Sequence, residues 1–169
     1  MASFWLYLLA PTIIGILNAF GTRGEISSPW YDSLKKPWFK PPPYVFRPVW
    51  SVLYICLGYS IYRIQETPDI EQFSTYEAQR LNFWTICLFW FQLVVLFIWP
   101  WSFFVKKDLI KALINMVVLW VLAGLTTALF YYQDKVAGIS ILPYFTWITL
   151  ATMINYTTYQ LNKAPKKEK

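Results

Sequence analysis

Five long stretches of this chain contain no Asp, Glu, Lys or Arg, and this pattern constrains the fold more than any other feature of the sequence. A helix needs about 20 consecutive apolar residues to cross a bilayer. Four of the stretches reach that length alone, whereas the second extends only about 22 Å at 1.5 Å per residue. The five stretches are residues 1–22, 48–62, 81–105, 112–133 and 136–162.

The second stretch crosses a bilayer only if its flanking residues extend it. Tyr44 to Phe46 can join the span if Arg47 and Arg63 direct their charged ends towards the headgroups. A four-span chain with a re-entrant second segment is the alternative. The first stretch is interpreted as a helix rather than a cleaved signal peptide, because no Lys or Arg precedes it and a proline and an asparagine interrupt its apolar run.

The composition excludes a soluble fold and several classes of enzyme. Apolar residues make up 57% of the 169 residues and charged residues 14%, against about 25% charged residues in soluble proteins. A core of this size cannot cover so much apolar surface. The chain has no histidine, so His-dependent catalytic triads and His-ligated zinc or haem are excluded. Its cysteines, Cys56 and Cys87, lie in apolar runs, and we predict no metal site and no cofactor.

We therefore predict an all-α integral membrane protein, a bundle of five transmembrane helices in one domain over residues 1–162. The basic tail, residues 163–169, is predicted to be disordered. The net charge of +6 is spread between the apolar stretches, which favours membrane lipid over nucleic acid as a partner. The predicted helices cover about residues 3–21, 44–63, 81–104, 110–132 and 139–161.

The distribution of basic residues predicts the orientation in the membrane. Twelve of the 15 Lys and Arg residues lie in the first loop, the third loop and the tail, whereas three lie on the opposite side. Cytoplasmic loops carry an excess of Lys and Arg. The chain is therefore predicted to keep its C-terminus in the cytoplasm and its N-terminus on the other side of the membrane.

The loop between the first two spans, residues 23–48, combines aromatic residues with six prolines. Prolines fix backbone angles and remove amide donors, so the loop is predicted to be a rigid cap with one helical turn around Tyr31 to Lys35. The alternative is an interfacial belt, in which Trp and Tyr lie at headgroup level for energetic reasons alone. The predicted cap residues are Trp30, Tyr31, Leu34, Pro37, Trp38, Pro41 and Pro42.

Two spans carry a stripe of aromatic and small residues at helical spacing. The stripe of the second span contains Trp50, Tyr54 and Gly58, and that of the fifth contains Trp147 and Ala151. Indole rings offer flat stacking surfaces, and small residues let helices approach closely. No acidic or basic side chain lies within the five charge-free stretches, which argues against an ion path and favours a pocket for a flat, mostly apolar ligand. Ordinary helix packing would produce the same stripes and is the alternative.

Three stretches of the chain carry a recognisable pattern. WYDSLKKPWFKPPPYVFRPVWSVLYICLG runs from Trp30 to Gly58, QLVVLFIWPWSFF begins at Gln92, and PYFTWITLATMINY begins at Pro143. The first closely resembles the signature of the TspO/translocator-protein family, also called the TspO/MBR or peripheral-type benzodiazepine receptor family. The other two resemble the third and fifth helices of that family. The resemblance covers nearly the whole chain in the same order.

The resemblance implies a ligand pocket inside the bundle, beneath the proline-rich loop. Family members bind porphyrins such as protoporphyrin IX, benzodiazepine-type drugs and, in animals, cholesterol, and they are associated with tetrapyrrole regulation, stress response or transport. We expect a homodimer, and the Lys, Ile and Asn usage favours a bacterial plasma membrane over the mitochondrial outer membrane. Carried over by motif, the pocket residues are Phe46, Val49, Trp50, Trp99, Trp147, Ala151, Ile154 and Asn155.

Two alternatives to simple porphyrin binding stay open. Some family members degrade protoporphyrin IX in a light- and oxygen-dependent reaction, in which the resemblance implies a role for Trp50 and Trp147. A dimeric scaffold that binds only lipid would instead pair through a helix face, for which the spacing of Gly124 and Ala128 offers small residues.

The chain also departs from the family pattern at three places. Leu96 and Phe97 stand where the family usually has an asparagine and a further aromatic residue, so one polar contact of the pocket is missing. The sterol motif is incomplete because Tyr156 lies too far from Lys163, and sterol binding is not predicted. Arg47 is interpreted as a headgroup contact, with a ligand carboxylate at the pocket mouth as the alternative.

Overall fold

The computed structural model describes residues 2–66 and 76–163, and these residues form helices joined by short loops. All of the helices except α2 are long and apolar enough to cross a membrane. The predicted all-α fold with five spans is confirmed, and the described residues contain no strand. The helices are α1 Ala2–Thr22, α2 Pro29–Ser33, α3 Pro43–Glu66, α4 Tyr76–Pro100, α5 Leu109–Gln133 and α6 Lys135–Asn162.

Helix starts follow local capping chemistry. Asp134, which alone separates α5 from α6, accepts hydrogen bonds from the amides of Val136 and Ala137 at 2.7 and 3.1 Å, and an Asp in this position satisfies donors that the first turn leaves free. For this reason α6 begins a full turn before the predicted residue 139. Asp108 caps α5 in the same way by accepting from the amide of Lys111 at 2.9 Å. The predicted disordered tail lies outside the described residues, apart from Lys163.

The five long helices pack around the bundle in the order α1, α3, α6, α5, α4. Glycines allow two of the contacts. A Cβ added at Gly58 of α3 would lie 2.6 Å from the Cα of Leu8 on α1, and one added at Gly138 of α6 would meet the backbone of Tyr131 on α5. Inside the bundle, Phe89 of α4 stacks on the ring of α5 residue Phe130, with centroids 5.7 Å apart. Successive spans run antiparallel, so that α1, α4 and α6 run in one direction and α3 and α5 in the other.

The outer surface of the bundle is strongly apolar. Large side chains on α1 such as Trp5 and Phe20 are 58% and 72% exposed. Such a surface is solvated by lipid, and the helices satisfy their backbone hydrogen bonds internally, as a spanning segment requires. The loop containing α2 and the α4–α5 turn lie at one end of the bundle, and the α5–α6 turn lies at the other.

Candidate ligand site

Two pairs of the predicted pocket residues make contacts between helices, Phe46 with Trp147 and Trp99 with Asn155. The Phe46 ring meets the Trp147 ring edge-on, with centroids 5.6 Å apart. Trp50 lies against Tyr54 on the same helix at 5.4 Å. The first ring pair joins α3 to α6, and both ring pairs offer flat, apolar surfaces.

The polar contact within this group joins two helices. The Trp99 indole of α4 donates to the amide oxygen of Asn155 on α6 at 3.3 Å. The Asn155 amide nitrogen donates back to the Ala151 carbonyl at 3.2 Å, and Asn155 is only 6% exposed. The amide of Asn155 is therefore engaged within the protein. Ile154 is half-buried beside it on α6.

A groove of about 720 Å³ lies between α3 and α6 on the outer surface of the bundle. It is an open groove rather than an enclosed cavity, and its walls are mostly apolar. Two of the predicted pocket residues, Val49 and Trp147, line it, and Trp147 thus contacts both the groove and Phe46. The other lining residues were not predicted: Pro48, Val52, Leu53, Ile139, Leu142, Pro143, Thr146 and Leu150.

The loop forms a folded cap over the end of the bundle. Ser28 caps α2 by accepting from the amide of Tyr31 at 3.3 Å, and Pro29 occupies the first turn, where a proline loses no hydrogen bond. The loop is also tied to the end of α6. The Lys35 amide donates to the Asn162 side-chain oxygen at 3.0 Å, and the Asn162 side-chain nitrogen donates to the Lys35 carbonyl at 2.8 Å.

A wide π-helical turn at Trp101–Val105 brings α4 to the cap. Pro100 lacks an amide hydrogen, and after it the Lys106 amide donates to the carbonyl of Trp101, five residues back, at 2.9 Å. This turn buries Phe103, which the predicted pocket omitted, so that its ring lies 5.9 Å from Trp30 and 5.5 Å from Trp99. A π-turn at such a position often marks a functional site.

The predicted cap residues divide into two groups. Trp30, Tyr31 and Leu34 are half-buried, and Pro37 is buried. Tyr31 contacts the rings of Phe103 and Phe104, so this group closes the bundle. The second group faces outward, because Trp38 is 95% exposed. Pro41 is half-buried, and Pro42 is exposed.

Several lysines lie around the cap. Lys107, whose φ of 54° is left-handed, places its ammonium 3.3 Å from Glu25. The Lys36 ammonium donates to the carbonyls of Tyr31 and Leu34. The Lys40 ammonium lies 5.8 Å from the centre of the Phe46 ring and 5.9 Å from that of Tyr31. Burial, together with the neighbouring Lys36 charge, lowers the pKa of Lys40 below its usual value. Arg47, by contrast, is exposed.

Comparison with known proteins identifies the family. The family model described as the TspO/MBR family matches residues 7–161. The chain belongs to the TspO/MBR family. It is 33% identical to Protein CrtK of Rhodobacter capsulatus, over 86% of this chain and 88% of that protein. It is 31% identical to the tryptophan-rich sensory protein of Cereibacter sphaeroides, over 89% of each, and 31% identical to the translocator protein of Bos taurus, over 93% and 88%.

Two further findings concern metal binding and helix pairing in this TspO/MBR protein. Among the described residues, no three His, Cys, Asp or Glu side chains lie close enough to hold a metal ion. Gly124, suggested by its spacing as part of a pairing face, lies against the Phe145 ring of α6, since a Cβ added there would lie 3.2 Å from it. Gly124 thus serves packing within the bundle, while Ala128 is exposed.

Proposed function

We propose that this TspO/MBR protein binds a flat, hydrophobic tetrapyrrole of the protoporphyrin IX class in the membrane, and so acts in tetrapyrrole regulation, stress response or transport. The observation that supports this best is the position of Trp147, which lines the groove between α3 and α6 and contacts Phe46 beneath the cap. One indole is therefore accessible from the lipid side and adjacent to the aromatic interior.

Replacing the ring contacts within the protein by contacts with a planar ligand costs little free energy. Edge-to-face ring pairs are worth about 0.5–1.5 kcal/mol each beyond the area they bury. A ligand that slides against Trp147 replaces the contact with Phe46 by a larger stacked contact, so little is lost on opening. The Trp99 to Asn155 hydrogen bond holds α4 and α6 together behind the rings.

A titration tests the proposal. Protoporphyrin IX added to the purified protein in detergent should quench tryptophan fluorescence in a saturable way. Trp147→Phe and Trp50→Phe should weaken binding about two- to tenfold, the equivalent of one ring contact. Trp5→Phe is the matched control, because Trp5 is exposed to lipid on α1. Absence of saturation, or equal effects of all three variants, would contradict the proposal.

The orientation and assembly are also proposed. The end of the bundle that holds the cap, the α4–α5 turn and the C-terminus of α6 carries most of the basic residues, so it faces the cytoplasm by the positive-inside rule, with a bacterial plasma membrane as the compartment. A fluorescent protein fused after residue 169 should fluoresce if this is correct. The homodimer should be detected by light scattering in detergent, with a pairing face that does not use Gly124.

A further inference from the structure

Two polar side chains in the centre of the bundle have no hydrogen-bond partner among the described residues. Gln92 of α4 and Tyr144 of α6 are both 0% exposed. The side-chain oxygen and nitrogen of Gln92 and the hydroxyl of Tyr144 make no hydrogen bond with the described residues. A buried polar group without a partner is strongly disfavoured. The position of these groups therefore points to a bound molecule that satisfies them.

The two side chains lie on facing stripes. Gln92 and Trp99 are two turns apart on one face of α4, and Tyr144 and Asn155 are three turns apart on one face of α6. Because Trp99 bonds to Asn155, these two faces are turned towards each other. Gln92 and Tyr144 extend the same facing pair of stripes towards the middle of the bundle.

The register through α5 places them at the same depth. Phe89 stacks on Phe130, so Gln92, three residues further along α4, is opposite Thr127 on the antiparallel α5. Gly124 packs against Phe145 on α6, so the level of Thr127 on α5 is close to that of Tyr144 on α6. The two unpartnered groups are thus within about one helical turn of each other along the membrane normal.

The surroundings decide what can bind there. Residues 81–105 and 136–162 contain no Asp, Glu, Lys or Arg, so a charged group would stay unpaired at this depth. The Gln92 amide offers donors and an acceptor, and the Tyr144 hydroxyl offers one of each. Thr127 is 7% exposed and its hydroxyl already donates to the Ala123 carbonyl, which leaves it as an acceptor. A small neutral group that both donates and accepts hydrogen bonds fits this set.

We propose that Gln92 and Tyr144 form a polar binding site in the centre of the bundle for one such neutral group, which is water in the unliganded protein. A buried water makes about three hydrogen bonds, and these two side chains supply that number. The same chemistry could come instead from a polar atom of the bound ligand. The site goes beyond the proposed porphyrin binding, since the water would be present without any ligand.

Shape-conserving substitutions test the proposal through the sign of their effect. Gln92→Met and Tyr144→Phe should each lower the melting temperature of the ligand-free protein in detergent, by about 2–4 °C for each hydrogen bond lost. If nothing occupies the site, both substitutions remove an uncompensated polar group and should raise it. Thr85→Val is the matched control, because the buried Thr85 hydroxyl accepts from Gln133 at 2.7 Å and donates to the Leu81 carbonyl, so its loss should lower the melting temperature in either case.

A protoporphyrin IX titration of the same variants separates the two sources. If water alone occupies the site, the melting temperature falls and the affinity for protoporphyrin IX changes little. If a polar atom of the ligand replaces the water on binding, the melting temperature still falls and that affinity falls as well, about fivefold. A rise in the melting temperature of either ligand-free variant would overturn the proposal. The ligand-free measurement decides for or against water even if porphyrin binding itself fails.

Discussion

The two ends of the bundle are held together by different kinds of contact. At the α5–α6 turn, the Arg63 guanidinium donates to the Asp134 carboxylate from two nitrogens, at 2.7 and 2.9 Å, and Gln133 bonds to Thr85. At the opposite end, the cap is held by ring edges such as those of Tyr31 and Phe103, by the exposed hydrogen bonds between Asn162 and Lys35, and by the exposed Lys107–Glu25 ion pair. Opening the first end leaves partly buried charges unpaired, whereas opening the second breaks ring contacts and exposed polar contacts, which are worth less. We therefore expect the cap end to open at a lower cost in free energy than the α5–α6 end.

Removing the carboxylate should give the largest effect on stability. Asp134→Ala breaks the ion pair with Arg63 and also uncaps α6. We expect a loss of up to about 3 kcal/mol, near the lower end of the range for buried pairs, because the Arg63 side chain is 30% exposed. Unfolding by SDS titration, followed by circular dichroism, measures it.

Glu77→Gln is the matched control for that prediction. Glu77 and Arg80 form an exposed pair 3.8 Å apart in the first turn of α4, and such pairs contribute about 0–1 kcal/mol. If Asp134→Ala were as mild as Glu77→Gln, the α5–α6 end would not be the fixed end of the molecule.

A glycine substitution at each end sharpens the comparison. A Cβ at Gly138 would overlap the backbone of Tyr131, whereas a Cβ at Gly24, beside the cap, meets nothing within 4 Å. Gly138→Ala should therefore cost about 1–3 kcal/mol, as overpacking does, and Gly24→Ala should be close to neutral. The same SDS titration compares them. Equal costs would mean that α5 and α6 can separate as readily as the cap can move.

The contrast between the ends was only partly predictable from the sequence. Five spans follow from the absence of charges, because an acidic or basic side chain is costly within lipid. The start of α6 was predicted about four residues too late, at 139, although the charge-free stretch begins at residue 136 and Asp134 before an apolar run is itself a capping signal. The π-turn after Pro100 has no local signature, so the contacts of Phe103 could not be predicted.

The aromatic and apolar character of the candidate site was predicted from the sequence, whereas the arrangement of its residues was not. Its residues came from the family resemblance, and spacing alone could not separate Val49, which lines the groove, from Leu57, which is buried. Both lie on α3 among residues three and four positions apart. Which face opens to lipid depends on the neighbours of α3, namely α1 and α6, and a single sequence does not contain that pairing.

Loosening the cap should change ligand kinetics more than stability. Asn162→Ala removes both hydrogen bonds that tie α6 to the Lys35 backbone. These bonds are exposed, so we expect a loss of about 1 kcal/mol or less. Stopped-flow fluorescence with protoporphyrin IX should give faster association and dissociation than in the parent protein. Unchanged rates would argue that the ligand enters through the α3–α6 groove without movement of the cap.

The smallest effect on stability is expected at Lys40. Its ammonium lies over the Phe46 ring, has no acidic partner within 4 Å among the described residues, and is placed to meet a carboxylate of a ligand bound beneath the cap. Lys40→Gln should leave unfolding unchanged and weaken protoporphyrin IX binding about two- to fivefold, as loss of one partly exposed ion pair would. The dimethyl ester of protoporphyrin IX, which lacks the charges, should bind both proteins alike.

The lowered pKa of Lys40 adds a test by pH. Because burial and Lys36 lower the pKa, raising the pH neutralises Lys40 before an ordinary exposed lysine, so the affinity of the parent protein for protoporphyrin IX should fall as the pH rises while that of Lys40→Gln stays level. Arg47→Gln is the control, since Arg47 is exposed and in the same segment. A loss of affinity in Arg47→Gln but not in Lys40→Gln would assign the carboxylate contact to Arg47. The cap end would then recognise its ligand at the headgroup surface, and not over the Phe46 ring.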